Sequence, residues 1–192
     1  VHYVPIQLPG ARWPHDMGMT QHYCIIHDLP MFFDQEGLKK GQHRLKFHRD
    51  VPARFGVIPR MGSNADVRWF EAQPCYLLHL SNSYETGDEI VMEGCIQTNP
   101  IPEISHLPRE GYARMIALLD MHQQETRMHR WRFNLKTGET KEEDLDDEVT
   151  EFPMVNGRYK GRPYRYSYNA YATPGFWLLD GLKKFDLQTG KH

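Results

Sequence analysis

Two histidines stand where apolar, strand-like runs meet polar residues, and an imidazole in such a place can bind a metal ion. His15 directly precedes Asp16 at the start of one run, and His79 lies 64 positions later (79 − 15), after Tyr76-Leu-Leu. The sequence contains eleven histidines, and a histidine taken at random is usually satisfied by hydrogen bonds within the fold. The residues alone therefore indicate two candidate ligands and leave the structural role open for each.

Short apolar runs separated by turn residues predict the elements that would position these side chains. From Thr20 to Phe33 we expect a strand pair broken at Asp28-Leu-Pro30, then a polar, flexible insert from Asp34 to Gln42 and a strand at Leu45-Lys-Phe47. Further strands are predicted at residues 54–58, 67–70, 75–80 and 88–92, between turn residues. This spacing is typical of an antiparallel all-β fold, whether sandwich, barrel or propeller.

A short repeat favours the propeller. The segments Phe133-Asn-Leu-Lys-Thr-Gly138 and Phe185-Asp-Leu-Gln-Thr-Gly190 share one pattern, 52 positions apart (185 − 133). Each is predicted to be a strand that enters a hairpin turn at its glycine. In the first copy Trp131, Phe133 and Leu135 share one face, because alternate residues of a strand point the same way. A recurrence of about 50 residues suits blades of four strands each.

Two other stretches depart from the strand pattern. Residues Glu110 to Gln124 place Met115, Leu118 and Leu119 at helical spacing, which predicts a short helix packed across the strands. The acidic run at residues 142–148 is expected to be a solvated loop.

Charge and cysteine usage exclude some partners. The 23 basic residues are scattered and matched by 25 acidic ones, so there is no electrostatic reason to expect a nucleic acid. No apolar run approaches the roughly 18 residues that span a bilayer, and residues 1–192 do not contain a signal peptide, although an upstream part would be able to carry one. Cys24, Cys75 and Cys95 are odd in number and lack a C-x-x-C spacing. Reduced thiols in a cytoplasmic protein are expected.

Several motifs along the chain resemble the carotenoid cleavage oxygenase family. They are, in the family's order, His15-Asp-x-x-x-Thr20, Arg54-Phe-Gly-Val-Ile-Pro-Arg60, Trp69-Phe70, His79-x-x-Asn82-x-x-Glu85, Glu151-Phe-Pro153 and Arg158-Tyr-Lys-Gly161-Arg-Pro163-Tyr-Arg-Tyr166. The family includes carotenoid and apocarotenoid dioxygenases, lignostilbene dioxygenases and the retinoid isomerohydrolase of the eye. The resemblance implies a seven-bladed β-propeller with a short helical cap. Residues 1–192 would form the central part of this single domain, with the N-terminal and C-terminal parts absent.

The resemblance also implies a metal site. In the family, four neutral histidines hold Fe(II), and His15 and His79 match two of them, while the other two have no counterpart in this sequence. Glu151 matches a glutamate that accepts a hydrogen bond from the histidine at position 79 and so orients it. No catalytic side chain beyond the metal site is implied. Asp16 and Glu85 are expected to cap turns or bind backbone amides beside the ligands, and Asn82 is expected to be a turn residue.

The implied reaction is cleavage of an alkene bond of a carotenoid or apocarotenoid with O2, giving two carbonyl products. Its partners are a hydrophobic small molecule and O2, and the family allows peripheral membrane contact in a full-length protein. One alternative is a lignostilbene (hydroxystilbene) dioxygenase. Another is an inactive structural fragment with an incomplete iron site, and a third is a propeller used only for protein binding.

Overall fold

The structure is a computed structural model that describes residues 1–102, 111–175 and 178–191. Short strands dominate the described part of the chain. Those of the first half are β1 Gly18–Met19, β2 Tyr23–Asp28, β3 Met31–Phe33, β4 Leu45–Phe47, β5 Ala53–Pro59 and β6 Arg68–Ala72. The others are β7 Tyr76–Thr86, β8 Glu89–Gln97, β9 Thr126–Asn134, β10 Thr140–Asp144, β11 Thr150–Met154, β12 Tyr166–Ala172 and β13 Leu179–Asp186. The predicted all-β class is confirmed.

Helical structure within the described residues is short. The α-helices are α1 Gln35–Lys39 and α2 Tyr112–Leu118, and 3-10 turns occupy Asn64–Asp66 and Gly157–Tyr159. Helix α2 confirms part of the helix predicted for residues 110–124, of which Glu110 lies outside the described residues. None of the helices in the described ranges is long and apolar enough to cross a membrane.

Three antiparallel sheets meet along their first strands. The first sheet has the order β1-β2-β5-β6, the second β10-β9-β8-β7 and the third β11-β12-β13, while β3 and β4 form a separate two-stranded hairpin. Strand β7 contacts both β1 and β11. Side chains at the starts of separate sheets are thereby brought to one place, although they are far apart in sequence.

An aromatic core joins the first and second sheets. The ring centroid of Phe55 lies 5.4 Å from those of both Trp131 and Phe133, and Phe70 lies 5.2 Å from Phe133. All four side chains are almost completely buried, and each such burial stabilises the fold by about 1.5–3 kcal/mol. The predicted apolar face of β9 is therefore confirmed as the face that packs on β5 and β6.

The repeated Phe-Asn/Asp-Leu-x-Thr-Gly motif forms a hairpin turn in both copies. Gly138 (φ +81) and Gly190 (φ +67) adopt the left-handed conformation that glycine takes without strain. Phe133 and Phe185 are buried at 0% and 3% exposure. The local prediction of a strand entering a glycine turn is correct at both positions.

The acidic run at residues 142–148 is only partly the predicted solvated loop, because residues 145–148 form a loop but residues 142–144 belong to a strand. It begins within β10, where the Asp144 carboxylate lies 2.5 Å from Nδ1 of the buried His129. Further on, Asp146 lies 2.5 Å from Nζ of Lys183, and Glu148 lies 2.9 Å from the same atom. The prediction missed these contacts because basic residues of other strands pair with the carboxylates, which the local composition does not show.

Two predictions near the start of the chain also need correction. The flexible insert at residues 34–42 contains the helix α1, whose N-cap Asp34 accepts a hydrogen bond from the backbone of Glu36. The predicted strand pair exists as β2 and β3, but these strands do not pair with each other. Strand β3 pairs with β4 instead, because Leu29 and Pro30 turn the chain away from the first sheet.

The cysteines agree with the sequence-based expectation. Cys24, Cys75 and Cys95 are free thiols, and Cys75 and Cys95 are completely buried. Burial raises the pKa of both buried thiols. Both are therefore inert packing residues at neutral pH.

Candidate metal centre

His79 lies in an interrupted stretch of β7. The register between β7 and β8 shifts between Leu77 and Leu80 and again between Leu80 and Asn82. A β-bulge re-aims the side chains around it. Gly94 on β8 allows the bulge, because a Cβ there would lie 2.9 Å from the backbone oxygen of His79. The imidazole remains 29% exposed.

Glu151 on β11 holds the imidazole of His79 from the neighbouring sheet. Its Oε2 lies 2.7 Å from Nδ1 of His79 and also accepts a hydrogen bond from the backbone N–H of Phe152. A carboxylate can only accept, so Nδ1 carries the proton and Nε2 of the neutral ring is left with a lone pair. The hydrogen bond to Glu151 raises the pKa of His79, against the opposing effect of partial burial.

Phe152 packs on the imidazole of His79, and its own backbone conformation is strained. Its φ of +51 lies in the left-handed region, which is a true outlier for an aromatic residue. The conformation interrupts the register between β11 and β12 and aims the N–H of Phe152 at Glu151. The ring stacks on His79 with centroids 4.6 Å apart. Sequence reasoning missed this residue, because no residue type in Glu-Phe-Pro marks a positive φ.

His15 meets His79 from the first sheet. It precedes β1, and its ring centroid lies 5.1 Å from that of His79 at an interplanar angle of 87°. Among the described residues, none forms a hydrogen bond with the His15 ring. The structure therefore brings together the three predicted site residues: His15 from the segment before β1, His79 from β7 and Glu151 from β11.

The neighbours of the two histidines bind backbone groups, as predicted. Asp16 accepts hydrogen bonds from the N–H groups of Met17 at 2.7 Å and Leu80 at 2.8 Å. Glu85 accepts from Oγ1 of Thr20 at 2.6 Å and from both the backbone N–H and Nδ1 of His22 at 2.8 Å. Both carboxylates thus fasten the β1–β2 hairpin to β7.

Asn82 is not a turn residue. It lies within β7, is 4% exposed, and donates through Nδ2 to the backbone oxygens of Tyr159 at 2.9 Å and Arg162 at 3.0 Å. Its Oδ1 accepts from the N–H of Gly161 at 2.9 Å. The prediction failed because the bonding partners lie nearly 80 residues further along the chain. His79, Asn82 and Glu85 therefore connect one strand to both neighbouring sheets.

The donor atoms are of the kind that bind transition metals, but the described residues do not form a complete set. Neutral imidazole nitrogens bind Fe, Zn, Cu and Ni, and the free Nε2 of His79 is such a donor. Within residues 1–102, 111–175 and 178–191, no group of three or more His, Cys, Asp or Glu side chains is arranged to hold a metal ion. Within the described residues, His15 and His79 are the two imidazoles that converge at this place.

An apolar cavity of about 440 Å³ lies beside His15. Its wall is mostly apolar, with Ile6, Leu8 and Pro14 of the N-terminal segment and Ile26 of β2, and Asp16 and His27 also line it. Such walls favour an apolar molecule over a charged one.

Comparisons with known proteins agree with the motifs and the fold. A family model described as retinal pigment epithelial membrane protein matches residues 1–192. A carotenoid 9,10(9',10')-cleavage dioxygenase of Crocus sativus is 32% identical over 187 residues, covering 96% of this chain and 32% of the relative. Lignostilbene-alpha,beta-dioxygenase isozyme III of Sphingomonas paucimobilis is 31% identical over 180 residues, covering 88% of this chain and 34% of the relative. The chain thus spans about a third of the length of these curated relatives.

Solved structures show the same fold. A cobalt-substituted Synechocystis ACO superposes with a TM-score of 0.79 at 23% identity, over 96% of this chain and 38% of that one. A lignostilbene dioxygenase of Pseudomonas brassicacearum superposes with a TM-score of 0.77 at 24% identity, over 97% and 40% of the two chains.

Proposed function

The chain belongs to the carotenoid cleavage oxygenase family, the family of the retinal pigment epithelial membrane protein, and we propose that it is the central part of a non-haem Fe(II) dioxygenase. The substrate is a carotenoid or apocarotenoid, one alkene bond of which is cleaved with O2 to give two carbonyl products. The observation that carries the proposal is the convergence of His15 and His79, at 5.1 Å between ring centroids, with Glu151 holding the second ring.

His15 and His79 would each hold the iron through one ring nitrogen. The bound iron supplies the activation of O2 beside the alkene. The protein residues orient and shield the site: Glu151 fixes the tautomer of His79, and the ring of Phe152 covers one side of that imidazole. No side chain is assigned the role of nucleophile or general base.

The complete domain in this proposal is a seven-bladed propeller with a short helical cap. Three sheets that meet along β1, β7 and β11 are what three adjacent blades would present to a central axis. The remaining blades and the two other histidines would come from parts of a longer protein on either side of residues 1–192.

The apolar cavity beside His15 supports a hydrophobic substrate. Several relatives are named for carotenoid 9,10(9',10') cleavage, including one from Pisum sativum at 35% identity over 186 residues, covering 96% of this chain and 33% of the relative. The free cysteines suit a reducing compartment. We therefore propose a cytoplasmic location, with peripheral membrane contact as the route by which such a substrate is reached.

Two further candidates each have an observation in their favour. A hydroxystilbene is the second substrate class, because a relative and a solved structure with the same fold are lignostilbene dioxygenases. The other candidate is that residues 1–192 alone are an inert piece, since only two imidazoles converge in the part of the chain that is described.

The test is anaerobic iron loading of this chain and of the longer protein that contains it, followed by product analysis under O2. The substrates are a C40 carotenoid, an apocarotenal and a hydroxystilbene, assayed side by side. Two carbonyl fragments from a carotenoid or apocarotenoid, lost in His79→Ala but kept in the matched control His43→Ala, support the proposal. Cleavage of the stilbene alone selects the second candidate, and bound iron without cleavage of any substrate overturns the dioxygenase.

A further inference from the structure

We propose that Asp16 is a positioning residue that sets the distance between the imidazoles of His15 and His79. The inference rests on the proposed role of these histidines as ligands, and it concerns the protein residues themselves, with no metal bound.

One carboxylate joins the backbone beside both imidazoles. Asp16 follows His15 directly, and its Oδ1 accepts a hydrogen bond from the N–H of Met17 at 2.7 Å. Its Oδ2 accepts from the N–H of Leu80, the residue after His79, at 2.8 Å. The link therefore passes from one candidate ligand to the other through a single side chain, across two sheets.

The backbone does not fix this distance. Strand β1 consists of Gly18 and Met19 only, it pairs with β2, and β7 belongs to another sheet. Leu80 lies between two register shifts, where the β7–β8 ladder is interrupted. Side-chain bonds must therefore hold the His15 segment against β7.

Four side chains make such bonds. Tyr76 of β7 donates through its hydroxyl to the backbone oxygen of Trp13 at 2.9 Å, but Asp16 is the one bonded to the residue directly after His79. Ser83 donates through Oγ to the backbone oxygen of Met19 at 3.0 Å. Glu85 binds Thr20 and His22, at the far end of the hairpin. Loss of either bond leaves the Asp16 link between His15 and His79 in place, so Glu85 offers a matched control.

An aspartate is required because both of its oxygens accept. Asparagine has the same shape but one acceptor oxygen, so Asp16→Asn must leave either Met17 or Leu80 without a partner. Asp16→Glu keeps the charge and both acceptors but displaces them by one methylene. Both variants should change the distance between the two imidazoles. Only Asp16→Asn also removes the negative charge at residue 16, so the pair separates the two effects.

The first experiment is NMR of the metal-free, 192-residue chain with labelled histidines. Two rings with centroids 5.1 Å apart should give an inter-ring NOE in the native protein. We expect Asp16→Asn and Asp16→Glu to weaken it severalfold and Glu85→Gln to keep it. An NOE of native strength in both Asp16 variants overturns the proposal.

The proposal can also be tested without the variants, in case they do not fold. In the unmodified chain, the amide proton of Leu80 should show a scalar coupling to the Asp16 carboxyl carbon and slow exchange with solvent. A rapidly exchanging Leu80 amide without that coupling overturns the proposal.

A Co(II) titration tests whether the positions of the two imidazoles affect metal binding. The unmodified chain and Glu85→Gln should bind with the same Kd, and both Asp16 variants should bind ~10-fold or more weakly with an altered visible spectrum, in the range found for residues that orient ligands. If only Asp16→Asn binds Co(II) more weakly, Asp16 acts through its charge, and the positioning role is overturned. If no variant binds Co(II) but the NOE contrast holds, the metal function fails and the positioning role stands.

Discussion

Oε2 of Glu151 lies 2.7 Å from Nδ1 of His79, although the two residues are 72 positions apart in sequence. Glu151 is completely buried, and Phe152 donates its N–H to the same oxygen. The carboxylate therefore cannot turn away from the imidazole without breaking its hydrogen bond with the N–H of Phe152. The tautomer and the direction of the His79 ring are fixed before any metal arrives.

Glu151→Gln should weaken metal binding and leave the fold intact. The amide can still accept from Nδ1, but it carries no charge, so the pKa of His79 should fall towards its ordinary value. We expect a loss of ~10–100-fold in Co(II) or Fe(II) affinity. Metal titration and the NMR titration of the His79 ring measure both effects. Glu139→Gln, at an exposed carboxylate, is the control, and an unchanged affinity in a folded Glu151→Gln protein would contradict the role given to Glu151.

Asn82→Ala should destabilise the protein and loosen the segment that follows Gly157. The change removes three hydrogen bonds that hold Tyr159, Gly161 and Arg162 on β7. Their loss should cost about 2–4 kcal/mol, since each net bond contributes about 1 kcal/mol and the site is buried. Urea unfolding gives the free energy, and hydrogen exchange of the Gly161 amide localises the effect.

The matched variant for this site is Asn82→Asp. It keeps the acceptor for Gly161 but places an oxygen against the two backbone oxygens that Nδ2 now binds. We expect it to be at least as unstable as Asn82→Ala. A stable Asn82→Asp protein would show that Nδ2 does not make these bonds.

Gly94→Ala should disturb the bulge that presents His79. The added Cβ would lie 2.9 Å from the backbone oxygen of His79 and 2.9 Å from Cδ2 of Leu80. Overpacking of this kind costs about 1–3 kcal/mol. Thermal unfolding and the chemical shifts of the His79 ring measure the effect. Gly157→Ala, where a Cβ would meet open space, should change neither, and equal behaviour of the two variants would exclude a special role for Gly94.

Stability should fall as the pH is lowered through the range set by His27. Burial lowers the pKa of His27 from 6.5 to about 4, and neither ring nitrogen has a hydrogen-bond partner among the described residues. Between these pH values the unfolded chain binds more protons than the folded one, so the free energy of unfolding decreases with falling pH. At pH 5 the loss relative to pH 7 should be about 2 kcal/mol.

His27→Leu removes that proton uptake. We expect its urea midpoint to change less between pH 7 and pH 5 than that of the unmodified protein, while the exposed-site control His43→Leu keeps the full change. At pH 7 the variant should be at least as stable, because two unpaired polar atoms are removed from the core. Parallel pH profiles for the unmodified protein and His27→Leu would rule His27 out as the source.

Local patterns predicted the elements well where the signal was itself local. Alternation of apolar residues around Trp131 and Phe133, followed by Gly138, identified a strand, its buried face and its turn. The positions of β5 to β8 followed from turn residues between short apolar runs. Residue type and spacing suffice here, because each feature depends on neighbours within a few positions.

The arrangement of the site was beyond local patterns. The sequence around Asn82 is typical of a turn, and only the fold shows that this side chain binds the backbone of residues 159–162. Nothing in the residue type of Phe152 predicts its positive φ. The acidic run was misjudged because Lys183 lies on another strand. His15, His79 and Glu151 were selected by resemblance to a family, and no spacing rule could have shown that separate sheets bring them together.

In the proposed site, a metal ion held by both histidines would also cross-link the chain. His15 and His79 are 64 positions apart (79 − 15), and the stretch between them contains the whole first sheet. An ion shared by both rings would close that stretch into a loop, as a disulfide does. By the chain-entropy estimate for cross-links, a loop of this length is worth roughly 4 kcal/mol against the unfolded state. The metal would then act as a reversible cross-link, and its removal would lower the free energy of unfolding by that amount, while the aromatic core still joins the first sheet to the second.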